Sequence, residues 1–295
     1  MGWLNEYSHT QRPMDLGLFL RFSAVDIVAD AVLSENFGLT KRGKDVQGIM
    51  KTLDLASLFL FVGHYSWASN LFVTNPFMTW LDILPLGAVF HTAMNAIEER
   101  AKRSDADDDP RCDVASHWLK VLREQPGRLS IKKVQAQAAN TLSAGSDTVS
   151  DASQGFLYYT LRHPQVLARL RGEMQASVEH GLCRTTIVSY GDAQNLPYFQ
   201  ACIKETLRFF TPFSFNIPRV APSGGMQIGD RVFPQGTILS VNPWVIHRSK
   251  EIWGPDAGEF NPERWFKPDA VDLEKQYYIP VSSIPSPSSY TDMSD

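Results

Sequence analysis

Cysteine is scarce in this chain of 295 residues: Cys112, Cys183 and Cys202 are the whole supply, and no two form a C-x-x-C pair. Three scattered thiols build neither a secreted disulfide framework nor a structural zinc site, so a reducing compartment is the expectation. Positive charge is not in excess either. Lys+Arg number 28 against Asp+Glu 32, a net charge of -4, which leaves no basic footprint for nucleic acid. No secretory signal opens the chain, where residues 3–11 read WLNEYSHTQ. The most apolar stretch, Leu53 to Leu81, is broken by His64, Asn70 and Asn75 before about 20 clean apolar residues accumulate. It reads as a buried or interfacial helix pair rather than a membrane span. Common catalytic signatures are also missing: no GxSxG, HExxH, Walker loop or GxGxxG occurs, and the histidines stand singly. A hydrolase or zinc enzyme has no support, and no metal-ligand set is read.

What the chain does have is core material, with 43% hydrophobic and 11% aromatic residues. Leu16, Phe19, Leu20, Ala24, Ile27, Val28 and Ala31 follow a 3.6-residue stripe, so a helix is expected over Leu16 to Phe37, with Gly38 as its stop. Further helices are expected over Leu53 to Tyr65, Ala88 to Lys102 and Asp113 to Glu124, with an acidic solvated loop over Ser104 to Pro110. Ser130 suits the N-cap of a long helix ending near His163. Pro164 and Pro197 suit the first positions of the next two helices, to about Val178 and to Phe210. After Pro212 the texture changes to short strands over Phe215 to Val220, Met226 to Ile228, Arg231 to Phe233 and Thr237 to Val241, with a hairpin turn at Gly229-Asp230. From Val281 the chain is Ser- and Pro-rich and reads as a disordered tail to Asp295. The class is mainly α with a small β-sheet, and the division expected is one domain over 1–280 and the tail over 281–295.

Three features carry chemistry. Ala144-Gly145-Ser146-Asp147-Thr148 lies mid-helix, where glycine costs about 1 kcal/mol relative to alanine unless something approaches the backbone closely. Ala144 and Thr148 share a face with Gly145. On these residues alone, a helix crossing with a satisfied threonine competes with a notch carrying proton-transfer groups. Glu205 and Arg208, three apart on an amphipathic helix, share a face and can pair; in isolation a solvated surface pair is the plainer reading. Phe260-Asn261-Pro262-Glu263-Arg264-Trp265 is an irregular segment offering a second arginine. Should Arg264 reach Glu205, a three-member charge cluster would lock a loop to the helix, a task suited to a planar guanidinium.

In order and spacing these features resemble the cytochrome P-450 haem-thiolate monooxygenases of the eukaryotic type common in fungal secondary metabolism. Ala144 to Thr148 resembles their oxygen-binding helix motif. Glu205 to Arg208 resembles their ExxR helix, with Pro197-Tyr198 and Cys202-Ile203-Lys204 as typical context. Pro218-Arg219-Val220 resembles the segment whose arginine meets a haem propionate. Trp253 to Ala257 and Phe260 to Trp265 resemble the meander before the haem loop. The likeness runs from Leu16 to Pro280.

The resemblance implies haem as cofactor, with Ala144, Gly145 and Arg219 against it. Asp147 and Thr148 would deliver protons to oxygen, and Glu205, Arg208 and Arg264 would be structural. It implies insertion of one oxygen atom from O2 into an apolar small molecule, a reductase partner, and the endoplasmic reticulum membrane as location. A membrane surface stays open as a further partner.

The departures matter as much. The family's ligand loop, Phe-x-x-Gly-x-Arg-x-Cys-x-Gly, should follow Tyr277-Tyr278-Ile279-Pro280, yet residues 281–289 read VSSIPSPSS, without Gly, Arg or Cys. An anchor and early helices would precede Met1, and Val149 replaces a frequent hydroxyl residue. The expectation is a partial cytochrome P-450 fold lacking the N-terminal region and the cysteine loop, without its own anchor and so cytoplasmic or of unknown location as written. It would be inactive in this form; the alternative is a non-catalytic remnant or interaction-only chain.

Overall fold

Asp15 starts the first helix by accepting the Leu18 N–H at 2.9 Å, which satisfies a donor the helix itself cannot. In the computed structural model this helix, α1, spans Leu16–Leu33. The model describes residues 7–10, 13–46, 48–62, 87–102, 113–125, 127–183, 185, 187–214, 216 and 218–280. It divides into two compact units, Met1–Asp151 and Ala152–Asp295.

The first unit contains α1, α2 (Leu39–Arg42), α3 (Ile49–Val62), α4 (Gly87–Lys102), α5 (Val114–Glu124) and the greater part of α6 (Ile131–Arg162). Its core is aliphatic: Phe22, Val25 and Leu33 pack with Leu39, Ile49, Leu53, Ile97, Val134 and Leu142. Each such buried side chain contributes roughly 1.5–3 kcal/mol of transfer free energy. The buried face of α1 differs from the expected stripe. Ile27 is 62% exposed and Ala31 is exposed, while Phe22, Val25, Ala29 and Val32 are buried. Apolar residues surround most of this helix, so periodicity alone does not single out a face.

The end of α1 also differs. Ser34 adopts a left-handed conformation (φ 52°) and closes the helix, while Gly38 (φ 71°) is the N-cap of α2. Buried Asp26 then receives the Leu39 and Thr40 N–H groups at 3.2 and 2.8 Å, fixing the start of α2. A buried ion pair ties α4 to α5. Arg100 donates to both carboxylate oxygens of Asp113 at 2.8 and 3.0 Å, and to Ser116 Oγ at 2.7 Å.

The second unit holds the end of α6, then α7 (Pro164–Glu179), α8 (Tyr190–Gln194), α9 (Pro197–Phe209), β1 (Arg219–Val220), β2 (Met226–Ile228), β3 (Arg231–Phe233) and β4 (Ile238–Leu239). It continues with α10 (Pro243–Ile246), α11 (Lys250–Trp253), a 3-10 turn (Pro262–Phe266) and α12 (Ala270–Tyr277). Proline opens α7 and α9 as expected, where a missing N–H costs nothing. Ser130 stands at the head of α6, its Oγ accepting the Lys133 N–H at 3.4 Å. The core here is aromatic: Tyr198, Cys202 and Phe260 with Phe156, Tyr159, Phe199 and Phe209.

The strands form two antiparallel pairs. β1 pairs with β4 (Arg219↔Leu239) and β2 with β3 (Gln227↔Val232), the latter turning at Gly229. Within the strand expected over Phe215 to Val220, Arg219 and Val220 are paired, and Pro218 before them has no N–H for a ladder. The chain is mainly helical with small antiparallel strands. Among the described residues no helix is long and apolar enough to cross a membrane. The expected acidic loop, the tail from Val281 and the greater part of Leu53 to Leu81 lie outside the described residues.

Candidate functional site

The amphipathic face of α9 carries Glu205 and Arg208 inward rather than to solvent; both side chains are completely buried. Arg208 donates to Glu205 from Nε (2.9 Å) and Nη2 (2.8 Å), a bidentate pair across one helix turn. The remaining guanidinium donors reach the carbonyls of His247, Ala257 (2.9 Å) and Glu259 (3.0 Å). All five N–H groups of Arg208 therefore have acceptors.

Glu205 collects from further along the chain. Its Oε1 accepts the Asn261 N–H at 2.9 Å and Arg264 Nε at 3.4 Å, and its Oε2 accepts Trp265 Nε1 at 3.1 Å. Arg264, 2% exposed, also donates to Trp253 O (2.7 Å) and to the Asp256 carbonyl and carboxylate (3.0 and 3.1 Å). Burial acts to raise the Asp256 pKa, but hydrogen bonds from Asn261 and Arg264 outweigh it and hold the carboxyl below its ordinary value. Glu205, Arg208 and Arg264 thus stand together, and they bind α9 to the irregular stretch between α11 and α12. Desolvating three charges is costly, and only this full set of partners offsets it.

The cluster also includes a residue that sequence reasoning passed over as a single histidine. His247 is fully buried. Its Nε2 accepts the Ile279 N–H at 2.8 Å, and its Nδ1 lies 2.9 Å from Thr211 Oγ1. Thr211 Oγ1 in turn donates to Leu207 O at 2.8 Å. This sequence of bonds places the imidazole proton on Nδ1. Burial, then the neighbouring Arg208, pushes the His247 pKa down to about 4.

The Ala144 to Thr148 segment lies in α6 within the first unit. Here the missing Cβ of Gly145 makes room for Val28 of α1: a methyl group there would sit 3.1 Å from Val28 Cγ1. Close approach is what this glycine serves, and the approaching group is a helix side chain. Thr148 Oγ1 donates to Ala144 O at 3.0 Å. Asp147 is 3.7 Å from Arg21, which also pairs with Asp54 at 2.6 Å. One turn further, burial and then the Asp147 charge raise the carboxyl pKa of Asp151, a feature whose only sequence signal is the like-charged i,i+4 spacing. Arg219 is exposed on β1, with Nη1 donating to Pro218 O at 3.1 Å.

An iron ligand is the test of cofactor fit, and the described thiols fail it. Cys202 is wholly buried on α9, and burial, followed by Glu173 and Glu263, pushes its thiol up to about 12. Cys183 is buried beside α8, and Cys112 lies outside the described residues. Among the described residues no group of three or more His, Cys, Asp or Glu side chains could hold a metal ion.

A mainly helical chain whose E-x-x-R helix grips a downstream arginine-bearing loop has the architecture of the haem monooxygenase class. A family model described as Cytochrome P450 matches residues 2–283, and the chain belongs to that family. Among curated relatives it is 30% identical to a cytochrome P450 monooxygenase of Aspergillus terreus, over 92% of this chain and 56% of the relative. It is 30% identical to a pisatin demethylase of Fusarium vanettenii (90% and 51%). It is 31% identical to cytochrome P450 monooxygenase pkfB of Emericella nidulans (85% and 49%). The chain spans about half the length of the curated relatives it matches. These are fungal monooxygenases, and haem is the cofactor of the family.

Proposed function

We propose that this chain derives from a haem monooxygenase of fungal secondary metabolism, and that its 295 residues as written do not perform the reaction. The reaction of the class is insertion of one oxygen atom from O2 into an apolar small molecule, with electrons from a reductase. Ala144, Gly145 and Arg219 are the positions assigned to haem contact in an intact relative, and Asp147 and Thr148 those assigned to proton handling. Glu205, Arg208 and Arg264 are structural, and they hold the stretch from His247 to Trp265 against α9. Residues 1–280 are assigned to the partial domain and 281–295 to its Ser- and Pro-rich tail. The endoplasmic reticulum membrane is the location in which such an enzyme would meet its reductase.

One observation carries the inactive reading. The chain after Pro280 contains no cysteine, and the nearest described thiol, Cys202, is buried with its pKa pushed up to about 12. Cys202 is wholly buried on the E-x-x-R helix, packed with Val166, Leu170, Tyr198 and Phe260, which leaves its sulfur no open side for an iron to approach. The same observation supports a second reading, a non-catalytic chain retained for interaction.

The test is the reduced carbon-monoxide difference spectrum of the purified chain, beside a version whose tail is replaced by an intact Phe-to-Cys loop. The expected result is no thiolate band from the chain as written. A thiolate band there would overturn the reading. Haem binding by the repaired version would favour descent of a disabled enzyme over the interaction-only alternative.

A further inference from the structure

We infer that His247 is a positioning residue: its imidazole ties the backbone of Ile279 to the Glu205–Arg208–Arg264 cluster and so sets the path on which the chain leaves α12. The destination of that path rests on the functional reading above; the tie itself does not.

Three contacts converge on this side chain and a fourth on its backbone carbonyl. Its Nε2 accepts the Ile279 N–H at 2.8 Å. The Tyr278 ring stacks on the imidazole, with centroids 5.7 Å apart and planes 26° apart. Its Nδ1 meets Thr211 Oγ1 at 2.9 Å, and its carbonyl accepts Arg208 Nη1. Tyr278 also meets the edge of Trp265 at 5.0 Å, and Trp265 donates to Glu205. Tyr278 and Ile279 are therefore held from two sides by groups that themselves answer to the charge cluster.

The chemistry needs a histidine with its proton on Nδ1. A lysine at this place would bury a positive charge against Arg208 and Arg248, and an ionised carboxylate would offer Thr211 Oγ1 no donor. A neutral imidazole offers one acceptor and one donor 180° apart in role, which matches a backbone N–H on one side and a hydroxyl on the other. The C-terminal neighbour of Ile279 on the chain is proline, which donates no hydrogen bond. A short helix followed by a pinned residue and then Pro280 delivers the chain at a defined point and direction.

Two conservative variants separate positioning from general core support. His247→Gln places an amide oxygen near the Nε2 position and keeps an acceptor for Ile279. His247→Asn reaches only the Nδ1 position and keeps the Thr211 contact. Amide hydrogen exchange resolved to single residues is read at Ile279 and at Leu167, whose amide bonds the His163 carbonyl at 3.0 Å in α7. The expected result is exchange at Ile279 roughly three- to tenfold faster in His247→Asn, near-parental exchange in His247→Gln, and Leu167 unchanged in both. Equal exchange at Ile279 in the two variants would overturn the inference. So would loss of protection at Leu167 as well, because His247 would then be a general core residue. A surprise in the carbon-monoxide spectrum bears on the functional reading alone and leaves this exchange pattern as predicted.

Discussion

The two units stabilise themselves by different means. Among the described residues, the first packs eighteen buried apolar residues from six helices into one continuous core, with Arg100 and Asp113 as a buried ion pair beside it. The second gathers five of its described buried residues into such a cluster, and buries Glu205, Arg208, Arg264, His247, Thr206 and Thr211 as well. Apolar packing is non-directional, and a lost methylene costs in proportion to its area. A buried polar network is directional, and losing one member strands the others without partners. The second unit should therefore fail abruptly where the first yields by degrees.

The largest expected effect follows from Glu205, which serves Arg208, Arg264, Trp265 and the Asn261 backbone at once. Glu205→Ala leaves the buried Arg208 guanidinium without a carboxylate and Arg264 with Asp256 alone, and should cost about 3–5 kcal/mol. Urea unfolding followed by exchange mass spectrometry should show residues 152–280 losing protection while 16–142 keep theirs. Uniform loss over both units would mean that the contrast drawn here is not one of separable cores.

Acid should expose the same contrast. His247 has a pKa pushed down to about 4 from an ordinary 6.5, by burial first and Arg208 second. The unfolded state thus binds a proton that the folded state refuses between those values. Stability from this group is complete above pH about 6.5, declines as pH falls, and is gone below about 4. The full difference is on the order of 3 kcal/mol. In the first unit burial acts to raise the Asp113 pKa, but hydrogen bonds from Arg100, Ser34 and Ser116 hold it below the ordinary value. That contribution persists until the pH falls below the usual carboxylate range. Unfolding free energies measured from pH 7 to pH 4.5 should fall for the second unit before the first, and His247→Gln should flatten the decline. An unchanged slope in that variant would place the acid sensitivity elsewhere.

How much of this was legible depended on whether a signal was local. The i,i+3 spacing of Glu205 and Arg208 puts them on one helix face, and proline marks the starts of α7 and α9, because each is a matter of neighbouring residues. Arg264 was reachable only through the family's motif order, since nothing nearby in sequence points 59 residues back to Glu205. Arg100 and Asp113 meet across two helices and carry no spacing signal, so they went unread. Gly38 reads as the end of α1 but begins α2; local chemistry shows that a left-handed residue is wanted, not which helix it serves. The buried face of α1 escaped because apolar residues surround most of the helix. His247 escaped because a lone histidine gains meaning only when distant backbone arrives, here from Ile279.

The smallest effect is the sharpest comparison, because it uses two glycines of the same helix. Gly145 of α6 faces Val28 in the first unit, where a methyl group would lie 3.1 and 3.4 Å from the two valine methyls. Gly155 of α6 faces the second unit, where a methyl group would lie 2.7 Å from Phe210 Cδ1 and 3.3 Å from Thr206 Cγ2. Replacing either by alanine gains about 1 kcal/mol of helix propensity. At Gly145 an adjustment of a few tenths of an ångström relieves the contact, and gain and strain should nearly cancel, for a change within about 0.5 kcal/mol. At Gly155 the ring must swing away, while Thr206, which the same methyl meets, is buried and bonded to Cys202 O at 2.8 Å and cannot give way. Overpacking of that kind costs about 1–3 kcal/mol, which leaves Gly155→Ala less stable than the parent by about 1 kcal/mol after the propensity gain. Melting curves of the two variants should therefore separate, Gly145→Ala staying near the parent and Gly155→Ala falling below it. The reverse order would show that the aromatic side of the second unit yields more readily than the aliphatic side of the first, and the distinction between a graded and an abrupt core would have to be withdrawn.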